Sequence, residues 1–235
     1  MPAPIGRAVA DPMTMHARPQ GFDGKTITLF DGSSWQQWTT RDGAPSGWVI
    51  QDDGSIEVKG GDAMTTRTFG DLQLHLEFRC PEMKQATGQA RANSGVYLHG
   101  RYEIQILDSY GQAPSLNGCG ALYMQAAPAV NAGVPADFWQ TYDIVFRAPR
   151  LDAAGAVTER PRVTVLHNGV VIHNNVEVAG PTGGAIGSDM PVTGPILLQD
   201  HGDLVRFRNI WVRPLGSAVT PVEAGGAAAP APGGA

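Results

Sequence analysis

The sequence predicts an all-β fold of two antiparallel sheets packed as a sandwich, and three observations carry that expectation. Apolar residues recur with a period of two, most plainly where Leu72, Leu74, Leu76 and Phe78 alternate with Gln73, His75, Glu77 and Arg79. No stretch keeps a convincing helical period. The 30 glycines and 18 prolines punctuate the chain throughout, breaking helices and supplying turns between short strands.

Composition bounds what such a fold can do. A chain of 235 residues, 42% hydrophobic and 17% charged, can bury a sizeable core in one domain of the soluble globular class. A net charge of -5 without any basic run argues against a nucleic-acid surface or an anionic membrane as partner. No apolar run is long enough to span a bilayer.

In chain order, residues 1–21 form an N-terminal extension rich in Ala, Pro and Met. The extension lacks the basic start and apolar core of an intact secretory signal, and reads as the remnant of a trimmed one. The folded unit is expected from Phe22 to Leu215. Leu72 to Phe78 is the clearest strand. Asn93 to Asp108 reads as paired strands, with Tyr102, Ile104 and Ile106 on one face and Glu103 and Gln105 on the other. Asp108 to Trp139 shows no strong period and reads as a long loop, either a packed lid beside a site or an ordered surface excursion. Thr141 to Phe146 is a further strand. Arg162 to Leu166 and Val170 to His173 flank Asn168-Gly169, a pair suited to a tight type I′ hairpin turn. Ile196 to Gln199 and Leu204 to Val212 read as another antiparallel pair, joined through Asp200-His201-Gly202-Asp203. Residues 216–235 dissolve into Gly, Ala and Pro and read as a flexible tail.

Strand phase nominates functional side chains. Glu77 with Arg79, Glu103 with Gln105, and Gln199 with His201 each share a face, and the three pairs are expected to line one concave groove, with Arg208 brought near by the last hairpin. Competing structural explanations stand beside each. Glu77 can simply pair with Arg79 or Arg208 across strands. Glu103 is harder to explain away, because a carboxylate between Tyr102 and Ile104 in a central strand is costly unless it has a purpose. A histidine in a Gly-Asp turn, as His201 is, would ordinarily be solvated, yet imidazole is the side chain best suited to serve as a base or proton shuttle near neutrality. Asn93 and Ser94 are either a turn entering a strand or polar partners for a ligand. Tyr123, on the long loop, is the aromatic best placed to touch a substrate. The tryptophans are more often core or sandwich-corner residues than ligand-stacking platforms. His99 is a secondary candidate, and His75 and His173 read as surface or core-edge residues. Cys80 and Cys119 fit one disulfide or two free thiols equally well. A divalent metal is a candidate cofactor, with Glu103, Asp108 and His201 as candidate ligands, although no compact ligand motif requires it.

Leu29-Phe30-Asp31-Gly32, Trp35, Trp38, Trp48, Asn93-Ser94-Gly95, Tyr102 to Asp108, Trp139, His167-Asn168-Gly169, Leu198-Gln199-Asp200-His201 and Phe207-Arg208-Asn209-Ile210 follow one another in an order that resembles the 3-keto-disaccharide hydrolase domain family. The resemblance covers Phe22 to Leu215. It implies a concanavalin A-like jelly-roll sandwich with a carbohydrate substrate in its concave sheet, and activity on glycosides oxidised at C3 of a sugar ring. It also implies export, since family members are often periplasmic or secreted.

The implied chemistry needs a base, a stabiliser for an enolate oxygen and an acid. A ketone at C3 acidifies the C2 proton and puts the glycosidic oxygen at C1 in the β position, so proton abstraction expels the leaving group and hydration of the resulting enone completes hydrolysis. Catalytic candidates are Glu103, His201 and Glu77; substrate-binding candidates are Asn93, Ser94, Gln105, Tyr123, Gln199 and Arg208; Asp108 is the metal candidate. Two other functions fit the same sandwich. A direct glycoside hydrolase would place Glu77 and Glu103 about 5 Å or about 6.5 to 9.5 Å apart. A non-catalytic carbohydrate-binding module would need neither.

Overall fold

The computed structural model describes residues 26–216, so the expected N-terminal extension and nearly all of the expected tail lie outside the described residues. Among the described residues there are fifteen strands: β1 (Ile27–Phe30), β2 (Trp38–Thr39), β3 (Val49–Ile50), β4 (Ile56–Glu57), β5 (Ala63–Thr65), β6 (Leu72–Arg79), β7 (Ser94–Leu98), β8 (Tyr102–Ile106), β9 (Gln140–Arg147), β10 (Arg150–Leu151), β11 (Val157–Glu159), β12 (Arg162–His167), β13 (Val170–Glu177), β14 (Leu197–Leu198) and β15 (Arg206–Pro214). Among the described residues the one helical element is a short 3-10 turn, Gly88–Ala90. The all-β expectation holds.

Two antiparallel sheets face each other. The larger has eight strands in the order β13-β12-β9-β6-β15-β4-β3, with β1 also paired to β15; the smaller has five, in the order β2-β5-β14-β7-β8. Alternation decides which residues lie between them. Leu72, Leu74, Leu76 and Phe78 of β6 meet Ile144 and Phe146 of β9 and Phe207, Ile210 and Val212 of β15, while the smaller sheet contributes Val96, Leu98, Tyr102, Ile104, Ile106 and Leu198 to the same buried cluster. Trp35 stacks on Trp38 at 4.5 Å and on Trp48 at 5.5 Å, closing one end of that core.

The hairpin at Asn168-Gly169 forms as expected: β12 pairs with β13 in antiparallel register, and both turn residues take positive φ, 51° and 77°. The last expected pair does not form. β14 pairs with β5 and β7 in the smaller sheet, whereas β15 pairs with β6, β4 and β1 in the larger one. Residues 199–205 are therefore a crossover between layers and not a hairpin. Local alternation marks both strands, but it is blind to which sheet each one joins.

β8 is also not central: it terminates the five-stranded sheet. Its outer edge is covered by the long loop, through Gln105 N–H to Ala121 O and Gly120 N–H to Gln105 O, each at 2.9 Å, and Tyr123 N–H to Glu103 O at 3.1 Å. Covering a strand edge in this way removes a template for unwanted pairing. The loop itself holds neither helix nor strand, yet it buries Cys119, Ala121 and Leu122.

Two histidines sit deeper than expected. His75 is fully buried and bonds Asp143 at 2.7 Å, and His173 is buried and bonds Gly120 O at 2.7 Å. His99 is buried with its two ring nitrogens 3.1 Å from Pro191 O and Gly70 O, a structural role. Cys80 and Cys119 are buried free thiols.

Candidate active site

The outer face of the smaller sheet carries the polar alternates of β7 and β8. Tyr97 lies directly across from Glu103, and Gly95 across from Gln105. Gln199, just past β14, joins this face through its N–H to Gly95 O, 2.9 Å. These residues, with Gln89, Asn93, Tyr123, Gly183 and His201, line a cavity of about 220 Å³. One acidic side chain, several amides and a histidine thus converge on a space of the size of a single sugar ring.

Glu103 is 3% exposed. Burial pushes its carboxyl up to about 7, with the nearby Asp62 charge adding to the rise and a hydrogen bond from Tyr97 opposing it. The close approach needs Gly95: a Cβ there would lie 2.4 Å from Glu103 Oε1. The Tyr97 hydroxyl donates to Gly183 O at 2.8 Å and accepts from Gln199 Nε2 at 3.1 Å, so its one proton serves either Gly183 or the Glu103 carboxyl. Burial holds the phenol protonated, well above its ordinary range.

The Gln105 amide has two hydrogen-bonding arrangements. With Nε2 toward Glu103 Oε1 (2.9 Å) and Ser94 O (3.0 Å) it donates to an ionised carboxylate. Turned about, Nε2 faces Gln89 Oε1 (3.1 Å) and Asn93 Oδ1 (3.3 Å), but the amide oxygen then meets the Ser94 carbonyl, an acceptor, so the first arrangement is the better satisfied on that side. Gln199 Oε1 is buried without a hydrogen-bond partner and is available to a ligand hydroxyl.

The structure brings together six of the ten candidates: Glu103, His201, Asn93, Gln105, Tyr123 and Gln199 all line the cavity. His201 is exposed at the mouth, on the crossover between layers. The other four lie elsewhere. Ser94 is buried, its hydroxyl donating to Gln199 O at 2.7 Å, and so holds the cavity wall from behind. Asp108 is paired with Arg91, whose Nε lies 3.1 Å from Asp108 Oδ2. Among the described residues no group of three or more His, Cys, Asp or Glu side chains gathers as a metal site.

Glu77 and Arg208 belong to the outer face of the larger sheet, on the far side of the sandwich from the cavity. They are cross-strand neighbours bonded at 2.6 Å, Glu77 also accepts from Asn209 at 2.9 Å, and the Arg208 guanidinium lies 4.1 Å over the Trp139 ring. The expected single groove of three polar pairs is thereby corrected. Strand parity gave each face properly, but the crossover after β14 separates the sheets that carry them.

Sequence reading passed over Tyr97, Gln89 and Gly183. For Tyr97 the signal exists, since it alternates with the core residues Val96 and Leu98 just as Glu103 does with Tyr102 and Ile104. Gln89 and Gly183 arrive from a one-turn helix and a loop, where no period marks them.

The profile of the 3-keto-alpha-glucoside-1,2-lyase-like domain family matches residues 25–213. The chain belongs to this family. No match was found among curated proteins. Among solved structures, a candidate glycosyl hydrolase from Parabacteroides distasonis is 36% identical, with 82% of this chain and 84% of that one covered at a TM-score of 0.75. Two further candidate glycosyl hydrolases from the same organism share the fold. One is 18% identical at a TM-score of 0.62, covering 82% of this chain and 94% of that one. The other is 21% identical at 0.57, covering 81% and 100%. Family membership and the jelly-roll sandwich agree with the resemblance read from the ordered sequence motifs, and a carbohydrate-active protein is what both support.

Proposed function

We propose that the protein cleaves 3-keto-glycosides, with the sandwich of residues 22–215 as the catalytic unit and Glu103 as the base. The observation that carries this reading is a buried carboxyl whose pKa is raised to about 7 and whose Oε1 lies against Gly95 in an amide-lined cavity. A base poised near neutrality can both accept the C2 proton and return it. Glu103 takes that proton, the C2–H electrons form the C1–C2 double bond, and the C1–O bond breaks. His201 at the mouth protonates the departing oxygen. Water then adds to the enone, hydroxyl to C1 and hydrogen to C2, which completes net hydrolysis. Gln105, Gln199, Asn93 and Tyr123 hold the sugar and the enolate oxygen, and the Tyr97 hydroxyl steadies Glu103.

A direct glycosidase is disfavoured by one observation: Glu103 is the sole carboxylate lining the cavity among the described residues, and Glu77 is on the far face. Among the described residues no helix is long and apolar enough to cross a membrane. Export to the periplasm or beyond, implied by the family resemblance, belongs to the same reading, and fractionation of the native host checks it.

The test is side-by-side incubation with a 3-keto-glycoside and its unoxidised parent in deuterated water, with and without chelator. Release and C2 deuteration from the keto compound alone are expected. Release from the parent would instead favour a glycosidase, and binding without turnover would favour a carbohydrate-binding module.

A further inference from the structure

Met124 is the middle residue of the tight turn that carries Tyr123, closed by the bridge between Leu122 and Ala126. It takes a left-handed conformation, φ 58°, and is 59% exposed. That conformation is costly for a bulky side chain, and Gly or Asn would hold the same turn with less strain. Of the seven described non-glycine residues at positive φ, Met124 alone is a large apolar residue left exposed. Its N–H donates to Leu116 O at 2.8 Å, and Leu116 is 43% exposed. The turn therefore displays two apolar side chains to solvent at a cost in backbone strain.

Both residues adjoin the wall of the cavity. Tyr123, next to Met124, lines it, and so does Gln89, whose Nε2 donates to the carbonyl of Asn117, next to Leu116, at 2.8 Å. The turn is also anchored: the Gln125 amide accepts from the Ala179 N–H at 2.8 Å and donates to Gly180 O at 2.7 Å. A space of about 220 Å³ holds a single sugar ring, so whatever that ring carries at C1 projects over the rim. His201 follows β14, whereas the Tyr123 turn covers the outer edge of β8, with β7 between the two strands. The glycosidic oxygen can thus face the histidine while the group it carries leans on the opposite rim. Resting on the reading of this cavity as the sugar site, we propose that Leu116 and Met124 form an aglycone subsite, and that the substrates are glycosides of aromatic alcohols. A second sugar would call for hydrogen-bonding partners that neither side chain has, whereas an adaptable thioether beside a leucine suits the face or edge of an aromatic ring.

Phenyl and methyl glucosides of the same anomeric configuration test this by NMR titration of the full chain. Being unoxidised, they are expected to bind without turning over. The phenyl compound is expected to bind about tenfold more tightly, the increment of one partly covered aromatic ring. Met124→Asn, which suits the left-handed turn, is expected to melt no lower than wild type and yet to bring that affinity ratio down to about one. Leu116→Ser is expected to reduce the ratio by about two- to threefold. Equal affinity for the two glucosides in wild type, or a ratio that stays near its wild-type value in both folded variants, overturns the subsite and leaves the sugar site standing. If neither glucoside binds, the subsite is overturned as well, and the incubation with the keto compound decides the reaction separately.

Discussion

Glu103 is ionised at a cost to the fold, and that cost has a pH signature. Below pH 4.5 the carboxyl is protonated both folded and unfolded and contributes no difference. Between 4.5 and about 7 the folded state holds a proton that the unfolded state has released, so stability falls as pH rises. Above the folded value the penalty is complete, at about 3 kcal/mol. Glu103→Gln is therefore expected to melt higher than wild type at pH 8, with the gap closing toward pH 5, as thermal unfolding across that range would record. The same substitution is expected to lower kcat by about 10²- to 10⁴-fold. In wild type, kcat/KM should climb through a limb near pH 7, because only the ionised form can accept the C2 proton. A stability gain coupled to an activity loss is what a strained catalytic group predicts, and a structural carboxylate would show the reverse.

At the scale of elements, two glycines test how the strands are fitted together. Gly95→Ala on β7 would press on Glu103 Oε1, the mobile end of a side chain, so the carboxyl moves while the strand stays. Activity is expected to fall sharply with little change in melting temperature. Gly194→Ala is the contrast. Its Cβ would lie 2.6 Å from the His99 Cβ and 2.7 Å from the His99 Cα and O; the bridge to Phe69 fixes Gly194 and the ring contacts to Pro191 O and Gly70 O fix His99, so the fold itself should lose about 1 to 3 kcal/mol in denaturant unfolding. Neither contact can be read from the sequence. What was legible there is local: the alternation that made β6, β8, β9 and β12 visible, the Asn168-Gly169 turn, and the face to which Glu103, Gln105 and Gln199 belong. What was not legible is the assignment of strands to sheets, since a period of two is the same on either layer. That is why strand phase alone groups Glu77 and Arg208 with Glu103, and reads β14 and β15 as a hairpin.

For the whole molecule, the two faces of the sandwich should answer separately to mutation. Arg208→Met leaves the buried Glu77 carboxylate without its 2.6 Å partner on the larger sheet. An unfolding free energy lower by about 1 to 3 kcal/mol is expected, with kcat/KM on a 3-keto-glycoside unchanged in the protein that remains folded. A parallel loss of activity beyond the folded fraction would mean that the far face takes part in the reaction after all. The crossover after β14 adds a consequence of another kind. Glu103 is embedded in one layer, while His201 rides on the strap that ties that layer to the other. Their separation is therefore a gauge of how the two sheets are seated on each other. Core substitutions at the interlayer seam that let one sheet slip by a few tenths of an ångström should register first as a mismatch between proton acceptor and proton donor, in turnover, before any melting curve records them.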